Sequence, residues 1–226
     1  VVVRWIQRWL IVIGLMVYAM ILIGGATRLT DSGLSITEWA PIKGTLPPLS
    51  EAAWLSEFEK YKATAEFQQQ NYNMTMSEFQ FIYWWEWGHR QLGRTLGLVY
   101  FIPFVFFLAT KQAPQRLQPR LWVLFGLGGL QGAIGWWMVS SGLTGQMLDV
   151  ASYRLAVHLG LAFVILGFIA WYVFCLGREE RELMQARRGR EAKLFSLSTG
   201  WMHFAFLQIL IGALVAGIDA GRTFTD

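Results

Sequence analysis

The chain has 226 residues, of which 54% are apolar and only 15% are charged, and its formal net charge is +4. Soluble globular proteins carry about 25% charged residues, so this chain has too few to cover a water-facing surface. The composition therefore excludes a soluble globular protein. It indicates a protein surrounded by the lipid bilayer, for which we expect no nucleic-acid partner.

Five stretches contain no Asp, Glu, Lys or Arg, namely residues 9–27, 95–110, 121–148, 155–177 and 194–218. Four of them reach the ~20 residues that a membrane-spanning helix needs. The second stretch is shorter, and it spans only if its helix extends back through Arg94, Arg90 and His89 towards Glu86. We therefore predict five spans, at about 9–26, 76–110, 121–138, 153–176 and 201–218.

The basic residues are unevenly distributed between the connections. Eleven Lys and Arg lie near the N-terminus, between spans 2 and 3, and in the 178–193 connection, whereas the 28–78 segment has seven acids and four bases. The positive-inside rule then makes the N-terminus cytoplasmic and puts segment 27–80 outside. We expect an integral protein of a bacterial inner membrane.

The external segment carries two local helix signals. Apolar residues recur at three- and four-residue steps after Ser50, which predicts an amphipathic helix. These residues are Trp54, Leu55, Phe58, Tyr61 and Ala65. Thr75 and Glu78 have the spacing of a capping box, so span 2 is predicted to begin near Met76.

An internal repeat relates the two ends of the chain. Residues 21–38 align with residues 209–226 at a constant offset of 188, with Asp31 matching Asp219. Four spans fit into one repeat, an even number, so both copies have the same orientation. We expect an all-α polytopic membrane protein: a four-helix bundle in residues 1–176, a cytoplasmic linker in 177–200, and in 201–226 the first helix of a second bundle related by a pseudo-twofold axis. On this interpretation the chain is part of a longer, eight-helix protein.

Cysteine and histidine are scarce. The single cysteine, Cys175, excludes an internal disulfide and a Cys-based metal cluster, and it is expected to pack. His89 and His158 lie near the outer ends of spans 2 and 4, at similar predicted depth, whereas His203 lies near the inner end of span 5. Two imidazoles on neighbouring helices suit a haem iron. The alternative is that each histidine only forms hydrogen bonds.

Two glycines follow His89 on one helix face. Gly93 and Gly97 stand four and eight residues after it, which leaves a flat space beside the imidazole. The same spacing also allows ordinary close helix packing, and this alternative stays open.

Three arginines lie near the outer side, against the positive-inside bias. Arg90 and Arg94 follow His89, and Arg154 is one turn before His158. Bidentate guanidinium groups suit the two haem propionates. The alternative is that some of them reach the lipid phosphates.

Glu86 lies three residues before His89, on the same face of the helix. A simple electron-transfer cytochrome needs no carboxylate at the edge of its haem, whereas an enzyme that modifies a haem substituent has a use for one. The alternative is an i, i+4 pair with Arg90.

Four segments together resemble the haem A synthase family: GGATRLTDSGLSITEWAPIKGTLPP, YWWEWGHRQLGRTLG, GGLQGAIGWWMVSSGL and RLAVHLGLAF. The resemblance implies eight helices in two four-helix halves. It implies oxidation of the position-8 methyl of haem O to a formyl group, through hydroxylated intermediates, giving haem A for cytochrome oxidase. It also implies Glu86 as the catalytic residue and His89 and His158 as ligands of the haem iron.

The resemblance has further implications for cofactors and partners. A second haem, haem B, is expected on histidines beyond residue 226. Haem O would be delivered by haem O synthase, and an electron donor of unknown identity and a homo-oligomer are further possible partners. The first external loop has no cysteine pair, as in the alphaproteobacterial and mitochondrial branch. The competing interpretation is a b-type cytochrome that serves as an electron-transfer or anchor subunit.

Overall fold

The computed structural model describes residues 2–144, 147–189 and 191–220. Within these ranges the chain forms eight α-helices, one 3-10 turn at Lys43–Thr45, and no strand. The helices are α1 Val2–Leu29, α2 Glu51–Lys62, α3 Ala65–Gln69, α4 Met76–Ala109, α5 Gln118–Leu143, α6 Ser152–Leu176, α7 Glu180–Gly189 and α8 Ala192–Gly217.

Five of these helices, α1, α4, α5, α6 and α8, are long and apolar enough to cross a membrane. The predicted all-α polytopic class is therefore confirmed. The helices extend beyond the charge-free stretches: α1 begins at Val2, and α8 begins at Ala192 rather than at Trp201. A helix end tolerates charge where it leaves the hydrocarbon, so the limits of an apolar run underestimate the helix.

Helices α1, α4, α5 and α6 form a bundle around one apolar core. Helix α1 packs against α4 and α6, and α5 packs against α6 and α4. The fully buried side chains include Ile6, Leu10, Ile13, Phe104 and Leu121. Residues 30–75 and residues 147–151 both lie at one end of this bundle, which we call the loop end.

Helix α8 packs mainly against α6, and the two are antiparallel. A Cβ on Gly217, at the end of α8, would lie 2.7 Å from the Cα of Ser152, at the start of α6. Helix α1 is also antiparallel to α6, because Gln7 near its start donates a 3.1 Å hydrogen bond to the carbonyl of Val173 near the end of α6. Helices α1 and α8 are therefore parallel, as the repeat predicts.

The backbone supports the repeat independently. Leu29 and Gly217, which end α1 and α8, are separated by the same 188 residues as the sequence repeat. Asp31 and Asp219 both adopt left-handed conformations, with φ of 48° and 50°. Asp tolerates this region better than most residues do. The repeated positions at 221 and 225 lie outside the described residues.

Helix caps and aromatic rings hold the 30–75 segment together and against the start of α4. Ser50 caps α2, Thr64 caps α3, and Thr75 and Glu78 form the predicted capping box at the start of α4. Phe79 of α4 stacks on Phe58 and Tyr61 of α2, with ring centroids 4.8 and 5.4 Å apart. The predicted amphipathic helix is shorter than expected, because Thr64 starts a new helix and so places Ala65 in α3.

Candidate functional site

His89 projects from α4 against the backbone of α1. A Cβ built on Gly24 would lie 2.9 Å from Cε1 of His89, a distance that real Cβ atoms essentially never show. The absence of a side chain at Gly24 therefore makes room for the ring. Nδ1 of His89 is buried and has no hydrogen-bond partner among the described residues.

His158 has a matching environment on the other two helices of the bundle. It projects from α6 against α5, where a Cβ on Gly135 would lie 2.9 Å from its Cε1. Its Nδ1 is likewise buried without a partner in the described ranges. Its main-chain carbonyl accepts a 3.0 Å hydrogen bond from the side-chain amide of Gln131. Each of the four helices thus supplies one histidine or one glycine.

The two histidines lie at similar distances from the loop end. Gly24, which marks the level of His89, is about 8 Å from the end of α1, and His158 is about 9 Å from the start of α6, at a rise of 1.5 Å per residue. The end of α8 links these two helix ends. Asp219, just after α8, bonds with Arg28 at the end of α1, and Gly217 of α8 lies against Ser152 at the start of α6. The end of α1 and the start of α6 therefore lie at one level.

His203 is not part of this arrangement. It lies about 21 Å from the loop end of α8 by the same rise. Its Nδ1 is 2.8 Å from the carbonyl oxygen of Thr199 on its own helix. This position agrees with the prediction that His203 lies at a different depth from His89 and His158.

Glu86 is 3% exposed and has three donors. Its Oε2 accepts hydrogen bonds from the Ser35 hydroxyl at 2.7 Å and from the Ile36 main-chain N–H at 2.8 Å. Its Oε1 lies 2.6 Å from Nη2 of Arg90. The pair with Arg90 that the sequence left open is therefore present. A buried charge needs this kind of compensation.

Arg90 and Arg94 bind the loop that follows α1. Arg90 donates to the carbonyls of Ile36 and Glu38, at 2.9 and 3.1 Å. Arg94 donates to the carbonyls of Pro41 and Ala40, at 3.0 and 3.3 Å. Loop residues 36–41 are thereby held beside α4.

The other predicted site residues are Arg154, Gly93 and Gly97, and the contacts of Arg154 and Gly93 are with groups other than the two histidine rings. Arg154 donates to the Trp137 carbonyl at 2.6 Å and lies over the Trp137 ring. A Cβ on Gly93 would meet Met20 at 3.6 Å, an ordinary contact, and one on Gly97 would meet nothing within 4 Å. The close glycine contacts of the histidines therefore come from other helices, not from Gly93 and Gly97.

The side chains in this region that could ligate a metal fit a haem better than a bare metal ion. In the described ranges, no group of three or more His, Cys, Asp or Glu side chains could hold an ion. Two imidazoles, one from α4 and one from α6, are side chains of the kind that ligate a haem iron. Buried polar atoms without partners are rare and call for an explanation. Four of them lie on α4–α6: Nδ1 of His89 and of His158, Nε1 of Trp87 and Oε1 of Gln131.

Sequence reasoning missed Ser35, Ile36, Gly24 and Gly135. Ser35 and Ile36 are about 50 residues from Glu86, and periodicity carries no information about which loop meets which helix. Gly24 and Gly135 had a weak signal, because a glycine inside a helix weakens it relative to alanine and so indicates a packing role.

Comparisons with known proteins agree on one family. Residues 7–226 match the family model described as cytochrome oxidase assembly protein. The chain is 64% identical over 223 residues to the heme A synthase of Ruegeria sp. (strain TM1040). It is 63% identical over 221 residues to that of Dinoroseobacter shibae and 62% identical over 220 residues to that of Paracoccus denitrificans.

These matches cover 97–98% of this chain but 58% of each relative, so the chain spans less than two thirds of their length. No solved structure matches the chain. The family model covers almost the whole chain, and its match agrees with the five-span helical fold. The chain therefore belongs to the cytochrome oxidase assembly protein family.

Proposed function

We propose that this chain forms the haem O-oxidising half of a haem A synthase, which converts the position-8 methyl of haem O to a formyl group and so gives haem A for cytochrome oxidase. The names of the relatives support this activity. The observation that carries it is the buried carboxylate of Glu86, one turn from His89 on α4. A b-type electron-transfer cytochrome has no use for such a group.

His89 and His158 are the proposed axial ligands of the substrate haem. Their support is the similar depth of the two side chains and their buried Nδ1 atoms, which have no partner among the described residues. Porphyrin iron supplies redox chemistry when it is bound. The protein would position it: His89 and His158, on separate helices, would hold the haem and so would set where its ring substituents lie relative to Glu86.

Propionate binding is proposed chiefly for Arg154. In the described ranges its Nη2 has no hydrogen-bond partner, while Nε and Nη1 bond to Tyr153 and Trp137. The same role for Arg90 and Arg94 would require each to release a loop carbonyl. Gly93 and Gly97 are proposed to border the macrocycle on the α4 side.

Glu86 is proposed to handle the protons and the charge of the reaction. The conversion R–CH₃ + H₂O → R–CHO + 4 H⁺ + 4 e⁻ removes electrons and leaves positive character on the reacting carbon. A carboxylate held by Ser35, Ile36 and Arg90 is oriented in advance to stabilise that charge or to accept a proton. A redox partner must exchange the electrons, and we assign no identity to it.

The setting of the enzyme is also proposed. The distribution of Lys and Arg supports a bacterial inner-membrane protein with a cytoplasmic N-terminus and an external loop end. The repeat and the 58% coverage of the relatives support division into a 1–176 half, a 177–200 linker and the start of a second half at 201–226, which would carry haem B in the remaining helices. Delivery of haem O by haem O synthase and homo-oligomer formation complete the proposal.

Histidine substitution tests the ligand assignment. We expect purified His89→Ala or His158→Ala protein to lose the low-spin absorbance of the substrate haem, because each variant removes one axial nitrogen. His203→Ala is the matched control and should keep that absorbance, since among the described residues its ring bonds to Thr199 on its own helix. Equal loss in all three variants would contradict the assignment.

A further inference from the structure

We propose that Gly24 and Gly135 are positioning residues that set the orientation of the two haem-ligand imidazoles. The proposal rests on the ligand roles of His89 and His158 given above. It assigns a function to two glycines on α1 and α5, the helices that carry no ligand themselves.

The contacts of His89 define the geometry. An ideal Cβ on Gly24 would lie 2.9 Å from Cε1, 3.5 Å from Nδ1 and 3.7 Å from Nε2 of His89. Cε1 is the ring atom between the two nitrogens, so the ring points this edge at the α1 backbone. Because the backbone on that side is rigid, the contact limits rotation of the ring about its Cβ–Cγ bond.

His158 repeats the same geometry on the other pair of helices. A Cβ on Gly135 would lie 2.9 Å from Cε1, 3.4 Å from Nδ1 and 3.6 Å from Nε2. The three distances agree with those at Gly24 to within 0.1 Å, although the helices and their sequences differ. The α1–α4 pair and the α5–α6 pair therefore show the same contact between a histidine ring and a glycine. Ordinary helix packing does not require this match.

Ring rotation matters for an iron ligand. The lone pair of Nε2 lies in the imidazole plane, so turning the ring turns the direction in which the ligand donates. The rings lack another restraint: neither forms a side-chain hydrogen bond within the described residues, and each Nδ1 is buried and unpartnered. Metal-ligating histidines ordinarily have that second nitrogen fixed by a hydrogen bond. Here close contact with a glycine takes over the task.

Neighbouring glycines have no such contact. A Cβ on Gly25, the next residue of α1, or on Gly132, one turn before Gly135 on α5, would meet nothing within 4 Å. Both residues are exposed on the helix surface. They are matched controls, since each changes the same helix by the same methyl group without touching a ligand ring.

The experiment compares four single substitutions in protein purified from membranes with its haem bound. Gly24→Ala and Gly135→Ala should each lower the low-spin ferric signal in electron paramagnetic resonance and raise the high-spin signal. The added methyl forces the ring to rotate or withdraw and so weakens its bond to iron. Gly25→Ala and Gly132→Ala should give the wild-type spectrum.

A rescue variant separates misorientation from misfolding. In His89→Gly protein, free imidazole can occupy the ligand position, and it should restore the low-spin signal. The Gly24→Ala/His89→Gly double variant should be restored equally well, because an untethered imidazole can shift to avoid the new methyl. Failure of the rescue only in the double variant would show general damage and overturn the proposal.

The outcomes distinguish this inference from the proposed function. If His89→Ala leaves the spectrum unchanged, the ligand assignment is wrong and the role of Gly24 falls with it. If His89→Ala abolishes the low-spin signal but Gly24→Ala behaves like Gly25→Ala, only the positioning role is wrong. The proposal holds when Gly24→Ala and Gly135→Ala, but not their controls, change the spin state.

Discussion

At the scale of single residues, two buried carboxylates at the loop end have opposite surroundings. Glu86 has a guanidinium, a hydroxyl and a main-chain N–H as donors. Glu66, in α3, is 4% exposed, and its Oε2 has no partner among the described residues. Burial, followed by the charge of Asp149, raises the pKa of Glu66 from its ordinary 4.5 to about 8, and the Tyr61 hydroxyl lowers it only in part. The charges of Glu86 and Asp31 add to the rise.

This raised pKa of Glu66 makes the stability of the 51–75 segment depend on pH. The folded state keeps the Glu66 proton up to about pH 8, whereas the unfolded chain releases it near 4.5. The segment should therefore be most stable below the lower value and lose stability as the pH rises between the two. Glu66→Gln mimics the neutral acid and should flatten this slope. Proteolysis of the 51–75 segment across the pH range measures it.

Glu59→Gln is the control for that experiment, because the Glu59 side chain is 65% exposed in its pair with Lys62. It should leave the slope of the parent protein intact. A slope that persists unchanged in Glu66→Gln would show that another group is responsible.

At this scale the sequence predicts partners on one helix but not across the fold. The spacing of Glu86, His89 and Arg90 indicates a shared helix face, and the Glu86–Arg90 pair was among its stated alternatives. Other contacts form only because the 30–75 segment folds back onto α4. These are the bonds from Ser35 and Ile36 to Glu86 and the bonds from Arg90 to loop carbonyls. No local pattern encodes the position of that segment.

At the scale of helices, α4 contains a proline whose cost is offset by another helix. Pro103 has no N–H, so the carbonyl of Val99, four residues earlier, has no intrahelical donor. The indole Nε1 of Trp9 on α1 donates to this carbonyl at 2.8 Å. Trp9 also packs on Tyr100 and Phe107, with ring centroids 4.9 and 5.9 Å away. One side chain thus satisfies the defect and joins α1 to α4.

Trp9→Phe should lower the stability of the bundle by about 1–3 kcal/mol, the cost of an unpaired buried carbonyl, together with some lost packing. Thermal unfolding in detergent measures the change. Trp5→Phe is the matched control, because Trp5 is 56% exposed on the same helix.

A double-mutant cycle isolates the proline from the packing. Pro103→Ala supplies an N–H for Val99, so Trp9→Phe should cost less in that background than in the parent. Equal costs in the two backgrounds would show that Trp9 acts only through its ring contacts.

Sequence patterns predicted the bounds of single helices better than the contacts between helices. The capping box placed the start of α4 correctly, since Thr75 and Glu78 signal through their own backbone. The break between α2 and α3 was missed because the apolar spacing continues to Ala65 across the Thr64 cap. The contact between α1 and α4 was not predictable from the sequence. It depends on Trp9 reaching the Val99 carbonyl, which has no donor within its own helix because of Pro103.

At the scale of the whole molecule, Arg28 links the two copies of the repeat. Its guanidinium lies 2.8 Å from Asp31 and 2.9 Å from Asp219, the two aspartates that the repeat aligns. It also donates to the carbonyl of Ala216, its own counterpart at an offset of 188. The sequence shows the repeat, and hence parallel α1 and α8. It does not show that one arginine serves both copies, because the second copy has alanine in its place.

The central claim is that the N-terminal bundle holds haem O for oxidation beside a catalytic carboxylate, and Glu86→Gln tests it most directly. The pigment bound to the purified protein is extracted and identified by mass spectrometry, beside Glu78→Gln as a control on the exposed part of the same helix. We predict that Glu86→Gln keeps its haem but forms haem A about 100-fold more slowly or worse, so haem O or its alcohol accumulates. Glu78→Gln should yield haem A normally. Haem A formed by Glu86→Gln at the parent rate would contradict the account and leave Glu86 as the anchor of Arg90 and of loop residues 36–41.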